Sequence, residues 1–128
     1  MKIKAAVLAL LLALPAYAGD PWSKTDIVLE AGFQTMLFLD WKQTSNFYNM
    51  TYTDANRVEH SIGERNMFLP EHPKQSQINI MCLFSALGHL GISHIMDSKS
   101  RRVWQVATLT IEAYAVGNNY KVGARIQW

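Results

Sequence analysis

Hydrophobic residues are concentrated in one short block and three long ones. The short block, Ala5 to Leu14, follows Lys2 and Lys4 and precedes Pro15-Ala16-Tyr17-Ala18. The long ones run from Ser23 to about Thr44, from Ile78 to Met96 and from Val103 to about Val116, and none contains a proline or a solenoid repeat. In the first, Ser23 or Thr25 is placed to cap a helix with Asp26 in its first turn. At about 100° per residue, Asp26, Glu30, Asp40 and Thr44 fall on one line, and Val28, Leu29, Phe38 and Leu39 lie elsewhere around the helix. The third segment repeats the pattern with Gln105, Thr108 and Glu112. Each of these helices carries one polar stripe on an otherwise apolar surface.

The middle segment has no formal charge and approaches the length of a membrane span. Its Ser85, Gly88 and Gly91 recur every three residues, a spacing that lets another helix approach closely. Gly117-Asn118-Asn119 offers a stop for the third helix. Beyond it, Tyr120, Val122, Ala124, Ile126 and Trp128 alternate with polar or small residues, as in a strand. The stretch from Ser45 to Gln77 is polar and reads as a connection with a short helix near Ala55–Ile62. The expected fold is therefore all-α: a compact bundle of about three helices with a short strand-like C-terminal tail.

The N-terminal block has the positive start, apolar centre and small residues of a secretion signal cleaved after Ala18. Retention as an anchor is the alternative, although ten apolar residues fall short of the ~20 that a span needs. Removing residues 1–18 of the 128 leaves 110, enough for a single domain over residues 19–128. It also removes two lysines and brings the chain close to neutrality, which argues against a nucleic-acid partner. Cys82 is the sole cysteine, so no internal disulfide can form.

These features point to the bacterial inner membrane with periplasmic exposure, with membrane lipid as a partner; a soluble periplasmic bundle is the alternative. Lys99, Arg101 and Arg102 crowd the connection between the second and third segments, which places that connection in the cytosol. Three crossings after a cleaved signal would place it outside. Two crossings remove the conflict if the first helix does not cross, and its apolar stretch Ala31 to Leu39 is short for a span.

Carboxylates and imidazoles supply the candidate chemistry: Glu30, Asp40, His60, Glu64, His72, His89, His94 and Glu112. Asp40, Glu64 and His89 are the candidate catalytic set, and His72, His89 and Glu112 the candidate metal ligands. His89 and Glu112 are the favoured pair within a membrane, where ionisable groups face a partner or cavity. No His-Glu-x-x-His motif, nucleophile elbow or phosphate loop occurs, and no cofactor is indicated.

Asp40-Trp41-Lys42-Gln43-Thr44, the run from Glu64 to Pro73, and then Asn79 and His89 together resemble a family of small, uncharacterised bacterial and phage membrane proteins. Their pattern is approximately D-W-x-Q-T, then E-x-N-P-x-L-G-x-H-P, then Asn and His in the next apolar segment. Met67 stands where the pattern has proline and Pro70 where it has glycine. The resemblance covers most of the mature chain and implies a helical membrane protein, without an activity. Three functions are compatible with this reading: an envelope protein acting through an envelope partner or its own copies, such as a phage-encoded modifier of the host envelope; a membrane hydrolase or metal protein; and an oligomeric pore subunit.

Overall fold

Ser23 begins the first helix as its sequence predicts. Its hydroxyl accepts the Asp26 N–H at 3.1 Å, and the Asp26 carboxylate accepts the Ser23 N–H at 2.8 Å. This reciprocal capping box satisfies two backbone donors that a helix start would otherwise leave free. From it α1 runs Lys24–Ser45. The computed structural model describes residues 19–46, 51–53, 55–61, 68–70, 72–124 and 126; the expected signal segment and Glu64 lie outside them.

The connection after α1 contains a small hairpin, β1 (Thr51–Thr53) against β2 (Glu59–Ser61), antiparallel with Tyr52 opposite His60. The short helix expected near residues 55–62 is thus replaced by a turn and a strand. Arg57 sits at φ 62°, a left-handed conformation that no right-handed helix contains, and the Thr-Tyr-Thr run suits a strand.

Two further helices complete the bundle, α2 (Gln75–Ile95) and α3 (Ser98–Lys121). Among the described residues the chain forms the expected all-α bundle of three helices, α2 and α3 being longer than their apolar blocks suggest. At the start of α3, the Asp97 carboxylate accepts the N–H groups of Lys99 and Ser100 at 3.1 and 3.0 Å. Bonds from Ser100, side chain and backbone, hold the Asp97 carboxyl below its ordinary range. The basic residues expected to form a connection therefore make up the first turn of a helix. At the other end α3 continues through Gly117 and past Asn119 because the Val116 carbonyl and the Asn119 side chain are both tied to α1. It stops at Gly123, whose φ of 91° ends the helix while its N–H bonds the Tyr120 carbonyl. The expected terminal strand thus begins inside a helix; Arg125, Gln127 and Trp128 lie outside the described residues.

Side-chain pairs fix how the helices run. Gln34 reaches the Ala86 carbonyl, Trp41 reaches Asn79 and Gln75 reaches Ser45, so α1 and α2 are antiparallel. Asp26 meets Arg101, Glu30 meets Gln105 and Asp40 meets Asn119, so α1 and α3 are parallel. α1 is the central helix, packing closely on α3 and less so on α2, while α2 and α3 touch little. Close approach of α1 and α3 occurs at Gly32, where an added Cβ would lie 3.4 Å from the Leu109 side chain. Gly88 in the small-residue row of α2 has no atom within 4 Å of such a Cβ, so no helix lies against it.

The bundle is polar inside and apolar outside. Asp26, Arg101 and Gln105 are 0% exposed and His89 4%, whereas Phe84 is 70% and Val28 69% exposed. Ile80, Leu83, Leu87, Leu90 and Ile95 of α2, with Val103, Val106 and Ile111 of α3, extend this apolar exterior.

The contact at Gly32 separates two substitutions. Gly32→Ala is expected to stabilise the fold by about 0.5–1 kcal/mol, since its methyl group meets only the movable Leu109 and a helical glycine is removed. Gly32→Ile, which drives a branched side chain between α1 and α3, is expected to cost about 1–3 kcal/mol. Thermal unfolding of the two variants in one detergent measures the difference.

Candidate functional site

Helical spacing makes the interior. In α3, Arg101, Gln105, Thr108 and Glu112 recur at alternating intervals of four and three, which keeps them on one face. In α1 the same spacing joins Asp26, Glu30, Phe33 and Leu37. The two seams face each other, and α2 adds His89 and Ser93 from the opposite direction.

Glu30 is the centre of this interior. Its carboxylate accepts from Gln34 at 2.8 Å, from Ser93 at 3.2 Å and from Gln105 at 3.2 Å. His89 Nδ1 lies 3.0 Å from it, with both side chains buried. On the far side of the ring, Nε2 lies 2.7 Å from Thr108 Oγ1. The Thr108 hydroxyl donates its one hydrogen back to the Trp104 carbonyl at 2.8 Å, shared with that of Gln105 at 3.2 Å. Oγ1 is therefore an acceptor toward His89. The imidazole thus bridges the Glu30 carboxylate of α1 and the Thr108 hydroxyl of α3. The imidazole is stacked on Phe33 at 3.6 Å and 13°, and Trp104 stacks on it at 5.3 Å and 23°.

A second polar group closes the bundle where α1 begins. Arg101 donates to the carbonyls of Ser93 at 2.7 Å, Met96 at 2.8 Å, Pro21 at 3.4 Å and Asp20, and to Asp26 at 3.4 Å. Its guanidinium also lies over the Trp22 ring, 5.0 Å from the centroid. Arg102 reaches the other Asp26 oxygen at 3.1 Å. One buried carboxylate thus holds two guanidinium groups.

At the opposite end, Asn119 donates to Asp40 at 2.8 Å, and Gln43 donates to the Val116 carbonyl at 3.3 Å. Trp41 donates to Asn79 at 2.9 Å, which also accepts from Gln75. A cavity of about 50 Å³ lies here, lined by Asp40, Cys82, Ser85 and Glu112 among others. A larger groove of about 330 Å³ opens between α2 and α3; Phe84, Gly88, Ile92, Trp104 and Ile111 line it, and His89 and Glu112 reach it.

The candidate residues divide accordingly. His89 and Glu112 share the groove, but the partner of His89 is Glu30, not Glu112. Asp40 is three turns from Glu30, roughly 15 Å along α1, so it does not join His89 in one catalytic centre. His72 is exposed before α2 begins, and His89 lies roughly 20 Å further along that helix. The metal set His72, His89 and Glu112 is therefore not assembled. Among the described residues no group of three His, Cys, Asp or Glu side chains is placed to hold a metal. Arg101 was not among the candidates because its neighbours suggest a basic connection; its four-three spacing to Gln105 and Thr108 is the signal that places it inside. Ser93, Gln34 and Gln43 carry no comparable signal.

No family model, curated protein or solved structure matches the chain.

The Glu30–His89 contact makes a prediction by double-mutant cycle. Glu30→Gln and His89→Gln are each expected to cost about 3–5 kcal/mol, since each leaves a buried charged partner uncompensated. The double variant is expected to cost clearly less than the two together. Unfolding free energies of the four proteins give the coupling, and additive costs would show that the two side chains act independently.

Proposed function

We propose that this protein is a small integral protein of the bacterial envelope, spanning the inner membrane three times after removal of residues 1–18. On this reading it acts by packing against a partner helix within the bilayer. The observation that carries it is the inverted distribution of side chains. In water, an exterior of exposed Phe, Leu, Ile and Val over a buried Asp, Glu, Arg and His interior would forfeit the main favourable contribution to folding. In a bilayer the same arrangement is favourable, because ionisable groups cost about 2.5–3.5 kcal/mol each on insertion scales and turn toward partners. Among the described residues α2 is the one helix apolar enough to cross by itself, with only 17% of its apolar window buried in the bundle; α1 and α3 are long enough but less apolar, and would cross packed together with it. The 22, 21 and 24 residues of the three helices correspond to roughly 30–36 Å, against a hydrocarbon core of about 30 Å.

Among the described residues Lys24, Lys99, Arg101 and Arg102 stand at the α2–α3 corner and Lys42, Arg57, Lys74 and Lys121 toward the other end, so basic residues alone do not choose between the two faces. A cleaved signal leaves residue 19 outside, which puts the α2–α3 corner outside and the other end in the cytosol. The lateral groove supports a partner: it is open along its length and walled by apolar side chains, Phe84, Ile92, Trp104 and Ile111.

Two measurements test this reading. The protein is expected to remain in the membrane pellet after alkaline carbonate extraction, and release would overturn the integral reading. A C-terminal green fluorescent protein fusion is expected to fluoresce and the corresponding alkaline phosphatase fusion to be inactive; the reverse would overturn the three-crossing orientation. For the partner, a photocrosslinking residue at Ile111 is expected to give a discrete protein adduct in membranes, with Val28 on the outer face of α1 as control. Adducts to lipid alone at both positions would overturn the packing role.

A further inference from the structure

Residues 19–22 are held against the α2–α3 corner by every polar group within reach. The Gly19 N–H donates to the His94 carbonyl at 2.9 Å, in the last turn of α2. The Asp20 carboxylate accepts the Ser98 N–H at 2.9 Å, and Arg101 binds the carbonyls of Asp20 and Pro21. A Cβ on residue 19 would lie 2.1 Å from the Met96 carbonyl oxygen and 2.9 Å from the Ile95 carbonyl carbon. The obstruction is backbone, so only glycine fits. The nitrogen of Gly19 therefore lies where α2 leaves its last carbonyls without helical donors.

We propose that removal of residues 1–18 creates a structural ligand, the α-ammonium group of Gly19, which caps the C-terminus of α2. The inference rests on the cleavage proposed above. In that step water adds across the Ala18–Gly19 amide on a signal peptidase, leaving a carboxylate on Ala18 and an ammonium on Gly19. The uncut chain offers the α2 terminus one amide N–H and no charge. The cut chain offers three donors and a positive charge at the negative end of the helix dipole. The charged groups at this corner are Arg101, bound to the Met96 carbonyl, Arg102 and Lys99, with the carboxylates of Asp20 and Asp97 on the first N–H groups of α3 and that of Asp26 between the two guanidinium groups. Processing and folding are thereby coupled: the corner gains its final cap only after the signal is gone.

The experiment uses protein purified from membranes in detergent. Its intact mass is expected to begin at Gly19, and any other start overturns the cleavage and this proposal with it. With that start established, brief acetylation at neutral pH followed by peptide mass spectrometry reads the docking alone. A free α-amine is more reactive than lysine there because its pKa is lower. The Gly19 amine is expected to react at least about tenfold more slowly in the folded protein than after unfolding, while exposed Lys24 changes little. Equal rates in the two states would overturn the docking and leave the cleavage standing. Gly19→Ala is expected to lose the protection and to melt lower. If that variant does not fold, a chain with one serine inserted between Ala18 and Gly19 moves the amine one residue outward and keeps the glycine. It is expected to lose the protection too; undiminished protection would overturn the proposal.

Discussion

A carboxylate shut inside a bundle can persist only if each helix around it contributes a donor. Glu30 satisfies that constraint with Gln34 from its own helix, His89 and Ser93 from α2, and Gln105 from α3. Sliding any one helix by a turn, about 5.4 Å, would take its donor out of reach and leave a buried charge unsatisfied at a cost of several kcal/mol. The register of all three helices is therefore set at one group. The apolar exterior cannot set it, because lipid tails are as apolar as the side chains they replace and do not discriminate one register from another.

Local chemistry made much of this legible. Ser23 and Asp26 announce the start of α1, and the stripes on α1 and α3 follow from helical spacing with no tertiary information. Which way a stripe faces does not follow from spacing. A line of Asp26, Glu30, Asp40 and Thr44 reads equally well as a solvated edge or as a core, and only the burial of the partner residues decides it. The same ambiguity displaced both ends of α3. Lys99 to Arg102 resemble a loop until Arg101 is seen buried among carbonyls, and Gly117 resembles a stop until Asn119 is seen bound to Asp40. In each case a long-range contact overrode a local preference worth about 1 kcal/mol or less. Spacing likewise does not say which chemical groups meet: Asp40 lies near the end of α1, His72 before α2 and His89 well along it, and helix rise separates them.

The two ends of the bundle are built differently. At the α2–α3 corner one carboxylate, Asp26, gathers two guanidinium groups, and Arg101 also binds backbone carbonyls at the end of α2 and in the segment before α1. The opposite end is joined by amides and an indole, Gln43, Asn119, Asn79 and Trp41, which fix position without fixing charge.

Along the third side, the bundle is incomplete as a packing problem. α1 packs on both other helices, but α2 and α3, joined through only Met96 and Asp97, diverge from their corner and leave the groove between them. Gly88 stands on the wall of that groove. A helical glycine costs about 1 kcal/mol relative to alanine, and an alanine methyl there would touch nothing. Among the described residues nothing packs at this position, whereas Gly32 faces Leu109 across α1 and α3. A second helix in contact with the groove would supply a reason for glycine there, since its backbone could approach α2 most closely where α2 has no side chain.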